Sequence, residues 1–300
     1  MPRSSKRDPA APAWGQAPLT QLAGKTILVT GASSGLGLEA AIQLARLGGE
    51  VVMTSRDEKR GALALSHARA RSGSQAISLM RCDFASQADI RALASAWHAR
   101  HPRLDVLVNN AGSVSPARRL TVDGLEETFA VNHLGYFLLT NLLLDLIERS
   151  TPSRVVNVAS VAHRHGDLDF ENLNYERGGY AIMKAYARSK LANVLFTAEL
   201  ARRLAGKGVT VNCVHPGAVA TNIWSRAPWF ARPLLALAKP FMRSPEQGGR
   251  AIVHLAASPE LEGLTGGYYE KDRLALPSRL AQDEALARRL WDVSARLVHL

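Results

Sequence analysis

Short apolar runs that read hydrophobic on both faces, separated by stretches with helical periodicity, leave few architectures open to this chain. The runs fall at residues 27–30, 51–54, 76–80, 106–108, 154–158 and 209–214, and most are rich in β-branched side chains. Between them, residues such as 35–47, 86–99 and 125–147 repeat their apolar side chains every three to four positions. A strand without a polar face needs cover on both sides, and an intervening helix returns the chain so that the next strand runs parallel to the last. The pattern predicts a doubly wound α/β domain: a parallel sheet of about seven strands with helices on both faces, the last strand at 267–269. Two further helices are expected at 245–256 and 280–297. No repeat, low-complexity block or linker interrupts residues 21–300, which read as a single domain, and 300 residues suffice to bury roughly three quarters of the extended-chain surface.

Residues 1–20 hold prolines, alanines and basic residues without an apolar core, so they read as a flexible tail and not as a secretory signal. Nowhere do eighteen apolar residues run together, the longest candidates being broken by Asn141, Asp145, Arg232 and Lys239. Two cysteines, Cys82 and Cys213, sit at expected strand ends, which suits buried thiols in a reducing compartment. A soluble, cytoplasmic protein is the expectation. The formal net charge of +11 raises a nucleic-acid partner, but the arginines are scattered through the helices without a basic stripe interleaved with stacking aromatics. A solvated basic surface accounts for them, and it favours an anionic cofactor.

The first strand runs into Thr30, Gly31, Ala32, Ser33, Ser34, Gly35, Leu36 and Gly37. Glycines between a strand and a helix let the backbone approach a pyrophosphate and aim the helix N–H groups at it. The second strand ends at Ser55-Arg56, where an acidic residue would take the ribose hydroxyls of NAD; serine followed by arginine leaves room and positive charge for a 2′-phosphate. NADP(H) is therefore expected in preference to NAD(H). Asp83 closes the third strand, and Asn109, Asn110, Ala111 and Gly112 close the fourth, at the strand ends where open α/β sheets bind ligands.

Tyr186 and Lys190, four residues apart, share one helix face. A free phenol gives up its proton poorly at neutral pH; a fixed positive charge nearby lowers its pKa and makes it a usable acid or base. Tyr180 and Lys184 have the same spacing, but Tyr180 follows Gly178-Gly179 near the helix start, whereas Tyr186 leads into the apolar pattern of Leu191, Val194, Leu195 and Ala198. Ser160, after an apolar strand, can hydrogen-bond and polarise a substrate carbonyl or alcohol.

Thr30-Gly31-x-x-x-Gly35-x-Gly37, Asn109-Asn110-Ala111-Gly112, Ser160, Tyr186-x-x-x-Lys190 and Pro216-Gly217 resemble the short-chain dehydrogenase/reductase family in order and spacing, from Thr30 to Thr221. Residues 131–140 and 189–196, with a tail from Pro277-Ser278 through Leu290-Trp291, look most like the retinol dehydrogenase-type members. The resemblance implies a Rossmann-type fold and a catalytic tetrad of Asn132, Ser160, Tyr186 and Lys190. In it Tyr186 transfers the proton, Lys190 lowers the tyrosine pKa and holds the nicotinamide ribose, and Asn132 anchors a water that links Lys190 to solvent. It also implies that Pro216 and Gly217 turn the chain under the nicotinamide, with the Val219 backbone and the Thr221 side chain on its carboxamide. A homodimer packed through the helices carrying Asn132 and Tyr186 is implied as well.

The stretch from His163 to Phe170 reads as a substrate-side loop, with His163 and His165 solvent-exposed; two histidines on a polar loop without nearby cysteines do not make a metal site, and no metal is expected. Residues 223–243, bulky, apolar and broken by prolines, suggest a lid over a lipophilic substrate, with an interfacial membrane patch as the rival reading; at most peripheral membrane contact is expected. These features predict an NADP(H)-dependent oxidoreductase interconverting a lipophilic alcohol and its aldehyde or ketone. Reduction of an activated carbon–carbon double bond, and a non-catalytic NADP(H)-sensing protein, are the alternatives.

Overall fold

A computed structural model describes residues 19–219 and 242–300. Most of the expected tail, Thr221 and nearly all of the expected lid lie outside the described residues. Eight strands, β1 (Thr26–Val29), β2 (Glu50–Ser55), β3 (Ile77–Arg81), β4 (Val106–Asn109), β5 (Ser153–Val158), β6 (Val209–His215), β7 (Tyr268–Glu270) and β8 (Arg273–Ala275), form one sheet in the order β3-β2-β1-β4-β5-β6-β7-β8. Every neighbouring pair is parallel except β7 and β8. The sequence pattern falls one strand short, because β8 is a three-residue edge strand whose residues are exposed or half-buried. Strands so short and so little buried carry no readable alternation.

The apolar runs divide their side chains between two cores, as a two-sided sheet requires. Leu28, Val52, Leu107 and Val155 point into one, beside Trp97, Phe137 and Leu195. Ile27, Val29, Val51, Met53, Val106 and Val108 point into the other, against Ile42 and Ile252. The first core lies under α3 (Gln87–Arg100), α5 (Gly135–Leu142), α7 (Ile182–Arg203) and α9 (Glu284–Leu297), and the second under α1 (Gly35–Arg46), α2 (Glu58–Ser72) and α8 (Pro245–Ala257). No helix among the described residues is long and apolar enough to cross a membrane.

The single helix expected over 125–147 is broken. A one-turn α4 (Glu127–Phe129) passes into a π turn (Ala130–Leu134), then α5, then α6 (Leu144–Arg149). Glu126 starts the segment by accepting the Thr128 and Phe129 N–H groups, and Asn141 Nδ2 donates to the Phe137 carbonyl, drawing a backbone acceptor into a side-chain bond just before the break at Leu143. α9 packs across α5 and α7, the helices through which the resemblance implies a homodimer. Trp291 lies 4.9 Å from Phe137 and 5.9 Å from Phe196 between ring centroids, with the Arg203 guanidinium 4.1 Å over its ring.

The strand order runs β1-β2-β3 one way and β4-β5-β6 the other. This reversal opens a crevice at the carboxyl ends of β1 and β4.

Candidate active site

A cavity of about 890 Å³ occupies that crevice. Its floor is stitched together by Thr30, whose fully buried hydroxyl accepts the Asn110 and Ala111 N–H groups at 2.8 and 3.0 Å. Asn110 Nδ2 donates to the Thr30 and Gly31 carbonyls, and Thr54 Oγ1 accepts the Gly31 N–H. Gly31 has φ +63, and a Cβ there would lie 2.6 Å from Ala111 Cα. At Gly37 a Cβ would meet Asn110 Nδ2 at 2.4 Å, so this glycine serves close packing beneath the turn. Ser33, Ser34, Gly35 and Leu36 line the cavity above it. Ser34 begins α1 without capping it through its side chain, and the first turn contains no acidic residue. The start of α1 thus borders the cavity without a side chain capping it, and this cradle fits a dinucleotide pyrophosphate.

The neighbouring strand ends complete this half. Arg56, exposed after β2, lines the rim with Arg60, one turn on, while Asp57 between them caps α2 by accepting the Arg60 N–H. Asp83, Ala111 and Gly112 also line the cavity. Asn109 is corrected: it is fully buried, and Nδ2 donates to Thr140 Oγ1 and Asn157 Oδ1 under the sheet. Strand alternation turns its side chain to the opposite face, and Asn110, one residue on, takes the place at the cavity.

In the other half, Ser160 closes β5, and Tyr186 and Lys190 project from α7, all three lining the cavity. Ser160 Oγ accepts the Ala162 N–H at 3.2 Å and is hydrogen-bonded to the Tyr186 phenol. Lys190 is 3% exposed; Nζ donates to the Val158 carbonyl at 2.9 Å and stands 5.7 Å from the Tyr186 ring centroid. Burial dominates both groups. It pushes the Lys190 ammonium down to about 7 and the Tyr186 phenol above its ordinary value, the latter opposed by the Ser160 hydrogen bond. Burial thus works against the lysine charge itself, an effect that sequence spacing does not reveal. Tyr180, the competing tyrosine, precedes α7; its hydroxyl donates to the Ser115 carbonyl, and Lys184 pairs with Asp167 instead.

Asn132 sits in the π turn one layer behind the cavity, fully buried. Its Oδ1 accepts the Ser113 N–H at 2.7 Å, and Nδ2 donates to the Ser113 carbonyl and to Ser189 Oγ. It joins the loop after β4 to the residue preceding Lys190. Pro216, Gly217 and Val219 line the cavity after β6, and Val219 bridges to Arg243. Thr221 lies outside the described residues.

The histidine reading is corrected in part. His163 is fully buried in a 3-10 turn (Val161–His165), where Nδ1 meets the Ser160 carbonyl and Nε2 accepts the Ser278 N–H. The signal missed is a partner 115 positions away. His165 does line the cavity, with Val114, Val161, Ala162, Met183 and Met242 as apolar wall. Sequence reasoning also missed Thr54, Arg60 and Ser113, of which only Arg60 had a readable sign, a second arginine one helical turn after Arg56. Behind this wall the loop of residues 166–181 is held by Arg188, 1% exposed, which donates to the Asn172 carbonyl and Asp167 and lies 4.2 Å over the Tyr175 ring. Cys82 and Cys213 are free and buried, and burial pushes both thiols up to about 12.

The chain is similar to known proteins. The family model described as short chain dehydrogenase matches residues 25–228. Human retinol dehydrogenase 14 is 44% identical over 295 residues, covering 92% of this chain and 87% of its own, and human retinol dehydrogenase 13 is 41% identical over 282 residues, covering 92% and 85%. Among solved structures, an uncharacterized protein from Mycobacterium paratuberculosis superposes with a TM-score of 0.77 at 33% identity, over 94% of this chain and 96% of that one. The RhlG/NADP active-site complex of Pseudomonas aeruginosa superposes with a TM-score of 0.68 at 26% identity, over 91% and 100%. With its phosphate cradle and its Ser160, Tyr186 and Lys190 cluster facing one cavity, the chain belongs to the short-chain dehydrogenase family, is of retinol dehydrogenase type, and is an NAD(P)-dependent oxidoreductase acting on CH–OH groups.

Proposed function

We propose that the enzyme uses NADP(H) in preference to NAD(H) to interconvert a lipophilic alcohol and its aldehyde or ketone. The observation that carries this reading is the hydrogen-bonded Ser160 and Tyr186 pair, backed by Lys190, in a cavity whose opposite half is an anion cradle rimmed by Arg56 and Arg60. The cofactor supplies or accepts the hydride when bound. Gly31, Ser33, Ser34, Gly35 and Leu36 would hold its pyrophosphate, Arg56 and Arg60 its 2′-phosphate, Asp83, Ala111 and Gly112 its adenosine side, and Pro216, Gly217 and Val219 its nicotinamide side, where Thr221 is expected to join them.

The protein's own residues handle the proton. Ser160 Oγ accepts the Ala162 N–H and holds the Tyr186 phenol; a substrate oxygen entering between the two hydroxyls would take the Ser160 hydrogen in place of Tyr186. Tyr186 delivers a proton to that oxygen in reduction and removes it in oxidation. Lys190, whose ammonium burial draws down, lowers the Tyr186 pKa in its charged form and would hold the nicotinamide ribose. Asn132 fixes the Ser113 loop and Ser189, and so the place of Lys190 on α7. The apolar wall of Val114, Ala162, Met183 and Met242 favours a lipophilic substrate. We place the protein in the cytoplasm with at most peripheral membrane contact and no nucleic-acid partner. A homodimer through α5 and α7 would have to form around α9.

Turnover of aldehydes, ketones and alcohols of graded chain length with NADPH, NADH and their oxidised forms, followed by absorbance, tests this reading. Rates should rise with chain length and favour the phosphorylated cofactor. Absence of turnover with every lipophilic carbonyl and alcohol would sink it, and saturated products from enones would shift it to double-bond reduction.

A further inference from the structure

We propose that His163 is a positioning residue of the reaction, holding Ser160 from behind and fastening the C-terminal segment to it at Ser278. The proposal rests on the role given to Ser160 above.

The geometry allows one arrangement of the imidazole. Nδ1 lies 2.8 Å from the Ser160 carbonyl, which only accepts, and Nε2 lies 3.0 Å from the Ser278 N–H, which only donates. Nδ1 therefore carries the hydrogen and Nε2 is bare, so the ring is neutral with its tautomer set by two backbone groups. Burial, which holds this imidazole below its ordinary pKa, acts in the same sense. The Tyr268 ring packs edge-on at 4.7 Å and fixes the plane.

Residue 163 grips Ser160 twice, because its own N–H also donates to the Ser160 carbonyl, at 3.1 Å. With Ala162 N–H on Ser160 Oγ, the serine is held at both backbone and side chain by a single turn. The other end of the imidazole is anchored by a segment that Arg164 also ties down, through the Leu276 carbonyl and Glu270. A hydroxyl that must donate to a reacting oxygen loses rate when it shifts by a fraction of an ångström, and the imidazole ties the turn that holds Ser160 to a second segment of the chain.

Two substitutions separate the ends of the ring. In His163→Asn, the amide nitrogen takes the place of Nδ1 and keeps the Ser160 bond. In His163→Gln, the amide reaches the place of Nε2 and keeps the Ser278 bond while losing the side-chain bond to the Ser160 carbonyl. We expect His163→Gln to lower kcat about tenfold, the effect of one lost hydrogen bond, with KM and NADPH affinity by fluorescence titration unchanged. His163→Asn should stay within about threefold of the unsubstituted enzyme. Full kcat in folded His163→Gln overturns the proposal, as does a loss in both variants that only follows their unfolding temperatures. Should neither variant fold, Ser278→Pro removes the anchoring N–H at a half-buried position. It should lower kcat with NADPH binding intact, and unchanged kcat there overturns the proposal equally. Ser160→Ala is the control: if it retains turnover, the reading of the site fails, whereas if it is inactive and His163→Gln is not, the inference alone fails.

Discussion

Replacing Lys190 by Met should make the ligand-free protein more stable at pH 6 while destroying its activity. Burial brings the Lys190 ammonium from an ordinary 10.5 to about 7. Between those values the unfolded chain binds a proton that the folded chain does not, so this lysine makes stability rise with pH. Below pH 7 both states are protonated and the folded state carries the whole penalty, about 5 kcal/mol at about 1.4 kcal/mol per pH unit. Methionine is of similar length and removes that penalty. It forfeits the Nζ bond to the Val158 carbonyl, worth about 1.5 kcal/mol, but leaves that carbonyl with Asn193 Nδ2 at 3.3 Å. The expected gain at pH 6 is about 2–4 kcal/mol, shrinking through pH 9 and gone near pH 10. Urea midpoints of the ligand-free protein at pH 6, 7.5 and 9 measure it. Turnover should fall by about 100-fold or more. A variant less stable than the parent at pH 6, or a difference that does not change with pH, would refute the claim that Lys190 is held charged against its surroundings.

Arg56→Ala and Arg60→Ala should each raise the KM for NADPH about tenfold or more and leave the KM for NADH within about twofold, since a charge-assisted phosphate bond is worth about 1.5–3 kcal/mol; equal effects on both cofactors would remove these arginines from the 2′-phosphate. Gly37→Ala places a methyl 2.4 Å from Asn110 Nδ2 and should cost about 1–3 kcal/mol of stability together with most cofactor affinity, read by calorimetry and titration. Unchanged binding there would mean that the turn relaxes freely. Arg188→Met removes the guanidinium bonds to the Asn172 carbonyl and Asp167, leaving the first with the Tyr175 N–H and the second with Lys184, and should lower stability by about 2 kcal/mol and speed proteolytic cleavage within residues 166–181. An unaltered cleavage pattern would show that the loop is held by its other contacts.

The architecture was legible because a two-sided sheet writes itself into the chain. Runs such as 27–30 and 106–108 have no polar face, and the two cores take alternate residues from them. What failed to show was whatever lacked a period. β8 is three residues of edge strand after Lys271, at φ +62. The breaks in the expected helix over 125–147 come from a π turn and from Asn141 bonding back to Phe137, both invisible to an apolar stripe that continues across them. Asn109 and Asn110 were separable only through strand alternation, since either amide would suit a strand end.

The site divides along a physical line: chemistry is local in sequence and positioning is not. Tyr186 and Lys190 declare themselves by four-residue spacing, and Gly31 and Gly35 by their place between strand and helix. The contacts that decide how those groups behave come from elsewhere in the chain. Val158 holds the Lys190 ammonium, Ser160 tempers the Tyr186 phenol, Ser113 pins Asn132, and Ser278 reaches His163. Three of these partners are backbone groups, whose chemistry no side-chain letter encodes. The expectation that Lys190 simply lowers the tyrosine pKa follows from the pair considered alone. In the folded site burial acts on both partners, drawing the Lys190 ammonium down and the Tyr186 phenol up, so the pair cannot be judged from its spacing.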